Sequence, residues 1–148
     1  MLNDDYKEML QSLLDNEVEF LIVGAYAMAV YGYPRSTGDL DLWVFTSQEN
    51  AEKVYNALIQ FGAPLSEINK NSFSEKGIVF QIGVAPRRID IITNVDGVNF
   101  VEAYTAREEI ELDDLNVPFI SKANLIKNKK ATGREKDRLD ANTLENSQ

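Results

Sequence analysis

The stretch RSTGDLDLWV, residues 35–44, places two aspartates, Asp39 and Asp41, inside an apolar run. The alternation of acids with leucines is typical of a β-strand that has Leu40 and Leu42 on one face and both carboxylates on the other. Two negative charges on the same face of a strand repel each other. Either this face is simply solvated, or something bound there offsets the repulsion.

A regular succession of helices and strands is predicted around this stretch. Helices are predicted over 4–15, 25–33, 46–60 and 99–106, and strands over 18–24, 39–45, 77–84 and 87–93. The third helix is expected to open on the capping-box pattern TSQE at 46–49 and to end at Gly62. A hairpin turning at Asp113–Asp114 and one or two C-terminal helices follow. This order predicts one α/β or α+β domain over 1–148, with a mixed sheet flanked by helices.

Composition and charge bound the class of protein. The 148 residues are 44% hydrophobic and 26% charged, which is typical of a folded globular chain. The net charge of −9 argues against non-specific nucleic-acid binding by the whole surface. No apolar stretch approaches the ~20 residues that span a bilayer, and the acidic N-terminus MLNDDYKEML does not resemble a secretory signal. We therefore expect a soluble, cytoplasmic protein with no membrane partner.

Neither cysteine nor histidine occurs in the chain. Thiol nucleophiles, zinc–thiolate sites and Ser-His-Asp triads are therefore excluded. Any chemistry must use carboxylates, Lys, Arg, Tyr, Ser or Thr. A bound metal ion would have oxygen ligands, which favours Mg²⁺, Mn²⁺ or Ca²⁺ over softer metals.

A third acid, Asp90, lies in RRIDIIT between Ile89 and Ile91. If this strand pairs with 39–45, Asp90 lies ~5 Å from the first two acids across the sheet. Three carboxylates on one sheet face would suit Mg²⁺ together with substrate phosphates. The alternative is a solvated strand face with alternating acids.

The strand FLIVGAYA ends at Gly24 and Ala25, where the next helix begins. Backbone N–H groups at such a helix start can bind phosphate oxygens, and Gly24 would let the backbone approach a ligand closely. Packing of the helix on the strand explains the glycine equally well.

Taken together, Gly24–Ala25, YGYPRSTGDLDLWV (31–44) and RRIDIIT (87–93) resemble the polymerase-β-like nucleotidyltransferase superfamily. With LIKNKKATGREKDRLD (125–140), the closest resemblance is to the small bacterial minimal nucleotidyltransferases, some of which are toxins of toxin–antitoxin pairs. The resemblance implies a nucleotidyltransferase-like sheet and Mg²⁺ (or Mn²⁺) held by the acids. It assigns catalytic metal binding to Asp39 and Asp41, and to Asp90 completion of the site and activation of the acceptor hydroxyl.

The resemblance further implies transfer of a nucleoside monophosphate from an NTP such as ATP to an acceptor hydroxyl. The acceptor would be an RNA 3′ end (tRNA, for example), a protein side chain or a small molecule. An antitoxin protein and a second copy of the chain are the other expected partners. One departure is Ala25, since the superfamily has Gly or Ser there and alanine supplies no hydroxyl. The alternative function is a binding module of the same fold that does not turn over.

Basic residues near the acids are candidate triphosphate ligands. Arg35 and Thr37 precede the acidic strand and would bind nucleotide if their loop faces the same pocket; the alternative is a surface loop. If the C-terminal stretch is one helix, its basic residues share a face with Asp137. We then expect Lys130 and Arg134 to bind nucleotide, the alternative being a solvated helix face. Arg87 and Arg88 fit turn positions without a role.

Overall fold

The computed structural model describes residues 2–33, 39–84 and 86–146. Its strands are β1 (Phe20–Val23), β2 (Leu40–Val44), β3 (Val79–Ile82), β4 (Ile89–Ile92), β5 (Glu108–Leu112) and β6 (Leu115–Phe119). They form one six-stranded sheet in the order β3-β4-β2-β1-β6-β5. The pairs β2–β4 and β1–β6 are parallel and the other neighbours are antiparallel, so the predicted mixed sheet is confirmed.

Six helices are described: α1 (Asp4–Asp15), α2 (Gly24–Val30), α3 (Gln48–Phe61), α4 (Phe100–Thr105), α5 (Lys122–Ala131) and α6 (Glu135–Glu145). The predicted hairpin is confirmed as well. β5 and β6 are joined by Asp113 and Asp114, both at positive φ (49° and 69°), as a tight antiparallel turn requires. Across the described ranges, no helix has the length and apolar character that crossing a bilayer requires.

The start of α3 lies one residue later than the capping-box pattern predicts. Ser47, not Thr46, is the N-cap, and its Oγ accepts a hydrogen bond from the Asn50 backbone N–H at 3.1 Å. Glu49 turns to Lys53 (3.5 Å) instead of reaching back to the cap. The buried Asn50 side chain donates to the Phe45 carbonyl at 2.9 Å, which fixes the register of the first turn. The predicted end of the helix at Gly62 is confirmed by its left-handed φ of 91°.

Helix α1 fixes the backbone just before β4. Its apolar face is fully buried and includes Tyr6 and Leu10. The Tyr6 hydroxyl donates to the carbonyl of Arg88 at 3.0 Å. The same carbonyl accepts a hydrogen bond from the Leu40 N–H at 3.0 Å, so the segments that lead into β2 and β4 are tied together.

The C-terminal stretch forms two helices, so the alignment expected for a single helix is wrong. The helix α5 ends at Ala131, Gly133 adopts a φ of +74°, and the extended Arg134 is the N-cap of α6. The Thr132 hydroxyl donates to Oδ2 of Asp137 at 2.9 Å and so ties the end of α5 to the first turn of α6. Lys127 and Lys130 therefore do not continue the face that carries Arg134 and Asp137.

Helix α5 lies very close to the loop that follows β4. A Cβ added to Gly97, which has a φ of +76°, would lie 2.3 Å from the Cβ of Ala131. The Asn128 side chain donates to the Asp96 carbonyl at 2.9 Å in the same contact. Gly97 thus sets how closely the C-terminal helices approach the sheet.

The variant Gly97→Ala is expected to lower the free energy of unfolding by about 2–3 kcal/mol, because it adds overpacking to left-handed strain. Gly77→Ala is the matched control, since Gly77 has a φ of +83° with no atom of the described residues within 4 Å of its added Cβ. Urea unfolding measures both, and adding Ala131→Gly to Gly97→Ala should recover part of the loss. Equal stability of the two single variants would contradict the expected contact.

Candidate active site

The three aspartates lie together at the N-terminal ends of the neighbouring strands β2 and β4. The two strands are parallel, and Asp41 lies directly opposite Asp90 in their register. Asp39 immediately precedes β2 on the same side, because it is two residues from Asp41. Asp90 is 8% exposed. The predicted pairing of these two strands is confirmed, and it brings all three acids to one region of the sheet.

The Asp41 carboxyl has a strongly raised pKa. Burial, together with the neighbouring charges of Asp90 and Asp39, raises the pKa of Asp41 to about 6, against an opposing contribution from Arg88. A freely solvated carboxylate would keep an ordinary pKa. The repulsion noted in the sequence therefore persists in the fold.

Gly24 makes room for this carboxylate. Its φ is +70°, and a Cβ placed on it would lie 2.2 Å from Oδ2 of Asp41. Gly24 and Ala25 line the same cavity as Asp41 and Asp90. The glycine at the end of β1 is therefore required by the position of the Asp41 carboxylate as well as by its own backbone conformation.

Arg88, to which the sequence assigned no role, lies inside the acidic cluster. Its Nη2 is 2.7 Å from Oδ2 of Asp39 and 3.2 Å from Oδ2 of Asp90, and its Nε is 3.0 Å from Oδ1 of Asp90. The spacing of two residues between Arg88 and Asp90 is the signal that could have identified it, since residues i and i+2 share a strand face. Arg87 is exposed.

A cavity of about 550 Å³ separates this part of the sheet from the C-terminal helices. Asp41 and Asp90 line it on the sheet side. The opposite side combines cations and acids from α5, α6 and their connection, namely Lys129, Arg134, Lys136, Asp137 and Asp140. Its size and polar lining suit a phosphorylated small molecule.

Lys129, and not the predicted Lys130, faces the cavity. Lys129 Nζ lies 3.1 Å from Oδ2 of Asp140 and 3.4 Å from Oδ1 of Asp137, with the side chain 12% exposed. Lys130 pairs with Glu145 at 2.8 Å with its side chain half exposed, and it is not among the residues lining the cavity in the described ranges. Consecutive residues point about 100° apart around a helix, so only one of two adjacent lysines can face the sheet.

Asp137 organises the turn between α5 and α6. Burial raises the pKa of Asp137, but the hydrogen bond from Thr132 and the charges of Lys129 and Arg134 outweigh it, so that the pKa is lowered. The predicted nucleotide ligand Arg134 does line the cavity, with Nε 2.8 Å from Oδ2 of Asp137. Two further predicted ligands, Arg35 and Thr37, lie outside the described residues.

Lys129→Met is expected to lower the free energy of unfolding by about 3 kcal/mol, because it removes the ammonium that Asp137 and Asp140 share in a mostly buried site. Lys130→Met is the matched control and should cost less than about 1 kcal/mol, since its ion pair with Glu145 is largely solvated. Urea unfolding at pH 7.5 compares the two. Losses of similar size would contradict the buried position of Lys129.

The acids have the donor chemistry that a hard divalent cation requires, since all of them offer carboxylate oxygens. Within the part of the chain that the structure describes, however, no group of three or more acids is arranged to hold a metal ion as it stands. The guanidinium of Arg88 bonds two of the three carboxylates, Asp39 and Asp90. The donor set thus fits Mg²⁺ or Mn²⁺ in kind, whereas its present arrangement is that of an arginine–carboxylate cluster.

No protein-family model and no curated protein matches this sequence. The structure is similar to the crystal structure of a protein from Thermotoga maritima whose own assignment as a nucleotidyltransferase is provisional. The two chains are 14% identical, with a TM-score of 0.59, over 98% of this chain and 93% of that one. At this identity the similarity shows the fold, and the predicted nucleotidyltransferase-like fold is confirmed.

Proposed function

We propose that this protein is a metal-dependent nucleotidyltransferase, which moves a nucleoside monophosphate from an NTP to an acceptor hydroxyl and releases pyrophosphate. One observation carries the proposal. Asp41 and Asp90 lie side by side on adjacent parallel strands, at a cavity whose opposite side carries Lys129, Arg134 and Lys136. Carboxylates on the sheet suit metal ions, and the facing cations, which Asp137 and Asp140 partly neutralise, suit the phosphates of a metal–triphosphate substrate.

The proposed roles follow from this arrangement. Asp39, Asp41 and Asp90 are the metal ligands, and Mg²⁺ (or Mn²⁺), when bound there, would neutralise charge on the reacting phosphate. Lys129 and Arg134 are the proposed triphosphate ligands, with Lys129 in place of the expected Lys130. Gly24 and Ala25 border the cavity, where their backbone can approach a phosphate.

The proposed reaction is an in-line displacement at the α-phosphorus of the NTP. The acceptor hydroxyl oxygen forms a bond to this phosphorus while the bond to the bridging oxygen of pyrophosphate breaks. Pyrophosphate leaves with the bonding electron pair, and the hydroxyl proton passes to a carboxylate. Asp90 is the proposed proton acceptor, because it borders the cavity and lies opposite Asp41.

The acceptor is proposed by class: an RNA 3′ end such as that of a tRNA, a protein side chain or a small molecule. The finer proposal, a toxin neutralised by an antitoxin protein, rests on the sequence resemblance alone. Growth arrest on expression, abolished by Asp41→Ala, would support the toxin role. Normal growth with the wild-type protein present at high level would contradict it.

The second candidate is a module that binds nucleotide without turnover. Two observations favour it: Arg88 already pairs with two of the three acids, and alanine stands at position 25 where the superfamily has Gly or Ser. In this case the cavity would bind an NTP through its cations, and the acids would not be catalytic.

Labelled NTPs distinguish the two candidates. The purified chain is incubated with each NTP, with Mg²⁺ or Mn²⁺, and with RNA and protein acceptors, and label transfer is measured. Transfer by the wild type that disappears in Asp39→Ala/Asp41→Ala supports the enzyme. Tight NTP binding in calorimetry that needs no metal, with no labelled product, supports the module, whereas undiminished transfer by the double variant would overturn the proposed site.

A further inference from the structure

We propose that Arg88 is a resident cation of the acidic cluster, which a divalent ion has to displace before the site can bind metal and nucleotide. The inference rests on the proposed function and concerns the control of the same site. It makes Arg88 a positioning residue that lowers the affinity of the empty site for metal. It also links metal binding to the arrival of the nucleotide.

The guanidinium engages the oxygens that a metal ion would need. It bonds both oxygens of Asp90, at 3.0 Å and 3.2 Å, and one oxygen of Asp39 at 2.7 Å. Paired, charge-assisted contacts of this kind are the strongest hydrogen bonds that arginine makes. A cation shared by Asp39 and Asp90 would therefore compete with Arg88 for the same lone pairs.

The backbone of Arg88 is held by hydrogen bonds, whereas its side chain can move from the acidic cluster into solvent. The carbonyl is held by the hydroxyl of the fully buried Tyr6 and by the N–H of Leu40, both at 3.0 Å. The Arg88 side chain is 34% exposed, so it can swing from the cluster into solvent without disturbing the core. Displacement then needs a change of rotamer and no movement of the sheet.

Charge balance gives Arg88 a purpose in the metal-free site. The three aspartates carry three negative charges, and Arg88 offsets one of them when no metal is bound. A divalent ion supplies twice the charge of the guanidinium, but it must first break the contacts of Arg88 with Asp39 and Asp90. The phosphates of an NTP add metal ligands of their own, so metal and nucleotide together displace Arg88 more readily than metal alone.

Mn²⁺ binding in the absence of nucleotide tests this inference without any measurement of activity. Free Mn²⁺ is followed by electron paramagnetic resonance during titration of the full chain at pH 7.5. Arg88→Gln is expected to bind Mn²⁺ about ten- to a hundredfold more tightly than the wild type, as the loss of hydrogen bonds to charged groups implies. Arg88→Lys should lie between the two, and the metal-free Arg88→Gln protein should melt at a lower temperature.

The matched control is Arg87→Gln, which removes the same charge from an exposed neighbouring side chain. It should change the Mn²⁺ affinity much less than Arg88→Gln does. Equal affinities of wild type and Arg88→Gln, weaker binding by Arg88→Gln and Arg88→Lys, or equal effects of the two glutamine variants would each overturn the inference. Those results leave the proposed function standing, whereas failure of every variant to bind Mn²⁺, with or without NTP, would overturn the metal site itself.

Discussion

Asparagine at position 41 is expected to reduce nucleotidyl transfer at least about a thousandfold and, at the same time, to raise the melting temperature of the metal-free protein. The loss of transfer follows from the proposed metal role, since ~4 kcal/mol of transition-state stabilisation corresponds to this factor. The gain in stability follows from the observed site. At pH 7.5 the wild type holds an ionised, mostly desolvated Asp41 next to Asp90, and the amide removes that charge.

The raised pKa of Asp41 determines whether rising pH stabilises or destabilises the folded protein. The pKa of Asp41 is about 6 in the folded protein and 3.8 in its ordinary state. Below pH 4 both states are protonated. Between pH 4 and 6 Asp41 ionises more readily in the unfolded chain than in the folded protein, so rising pH lowers the free energy of unfolding. Above about pH 6 the ionisation of Asp41 lowers it no further. The difference between these two pKa values corresponds to at most ~3 kcal/mol of stability. We expect a loss of about 1–2 kcal/mol, because Asp41 is only partly buried.

Urea unfolding in EDTA between pH 4 and 8 measures this difference, since the stability of Asp41→Asn relative to wild type should grow from pH 4 to about 6 and level off above it. Asp39→Asn is the matched control. Asp39 is paired with Arg88 at 2.7 Å, so its removal should not stabilise the protein. A lower stability of Asp41→Asn at pH 7.5, or stabilisation by both variants, would contradict the electrostatic description of the cluster.

The sheet and its acids were predictable because they depend on local patterns. Alternation of acids with leucines and isoleucines fixes which face each residue occupies, and a register shift of one residue would bury Asp41 and Asp90 in the core. Once β2 and β4 are neighbours, the pattern therefore places Asp90 on the same face as Asp39 and Asp41, and the structure adds that Asp41 is the one directly opposite. The metal and nucleotide roles assigned to these residues stay predictions.

The basic side of the cavity was less predictable, because it depends on where a helix ends. The C-terminal stretch turns at Gly133, whose φ is +74°, and it is Lys129 of the preceding helix α5 that lines the cavity. Lys129 and its neighbour Lys130 have the same helix propensity, so propensity does not predict which of the two faces the cavity. Arg88 was missed for a related reason: it lies one residue before β4, where a turn and a strand are equally consistent with the sequence.

Gly24→Ala is expected to be damaging to both activity and stability, because among the glycines that the structure describes Gly24 has the shortest distance from an added Cβ to a neighbouring atom. The added Cβ would lie 2.2 Å from Oδ2 of Asp41, and the φ of +70° disfavours any residue with a side chain. Either Asp41 moves or β1 shifts, and a displacement of about 1 Å in such a site can cost a hundredfold in rate. We therefore expect transfer to fall at least about a hundredfold, with about 2–4 kcal/mol of stability lost to strain and overpacking.

Two comparisons isolate the contact between Gly24 and Asp41. Gly32→Ala introduces alanine at a φ of +100° with no described residue within 4 Å of the added Cβ, so it serves as the control for backbone strain. In the Asp41→Ala background the carboxylate that obstructs the methyl is absent, and Gly24→Ala should then cost little more than Gly32→Ala. This non-additivity, measured by urea unfolding, is the signature of direct contact. Strictly additive losses would mean that glycine is needed at position 24 only for its positive φ, and that the position of the Asp41 carboxylate does not depend on the missing side chain.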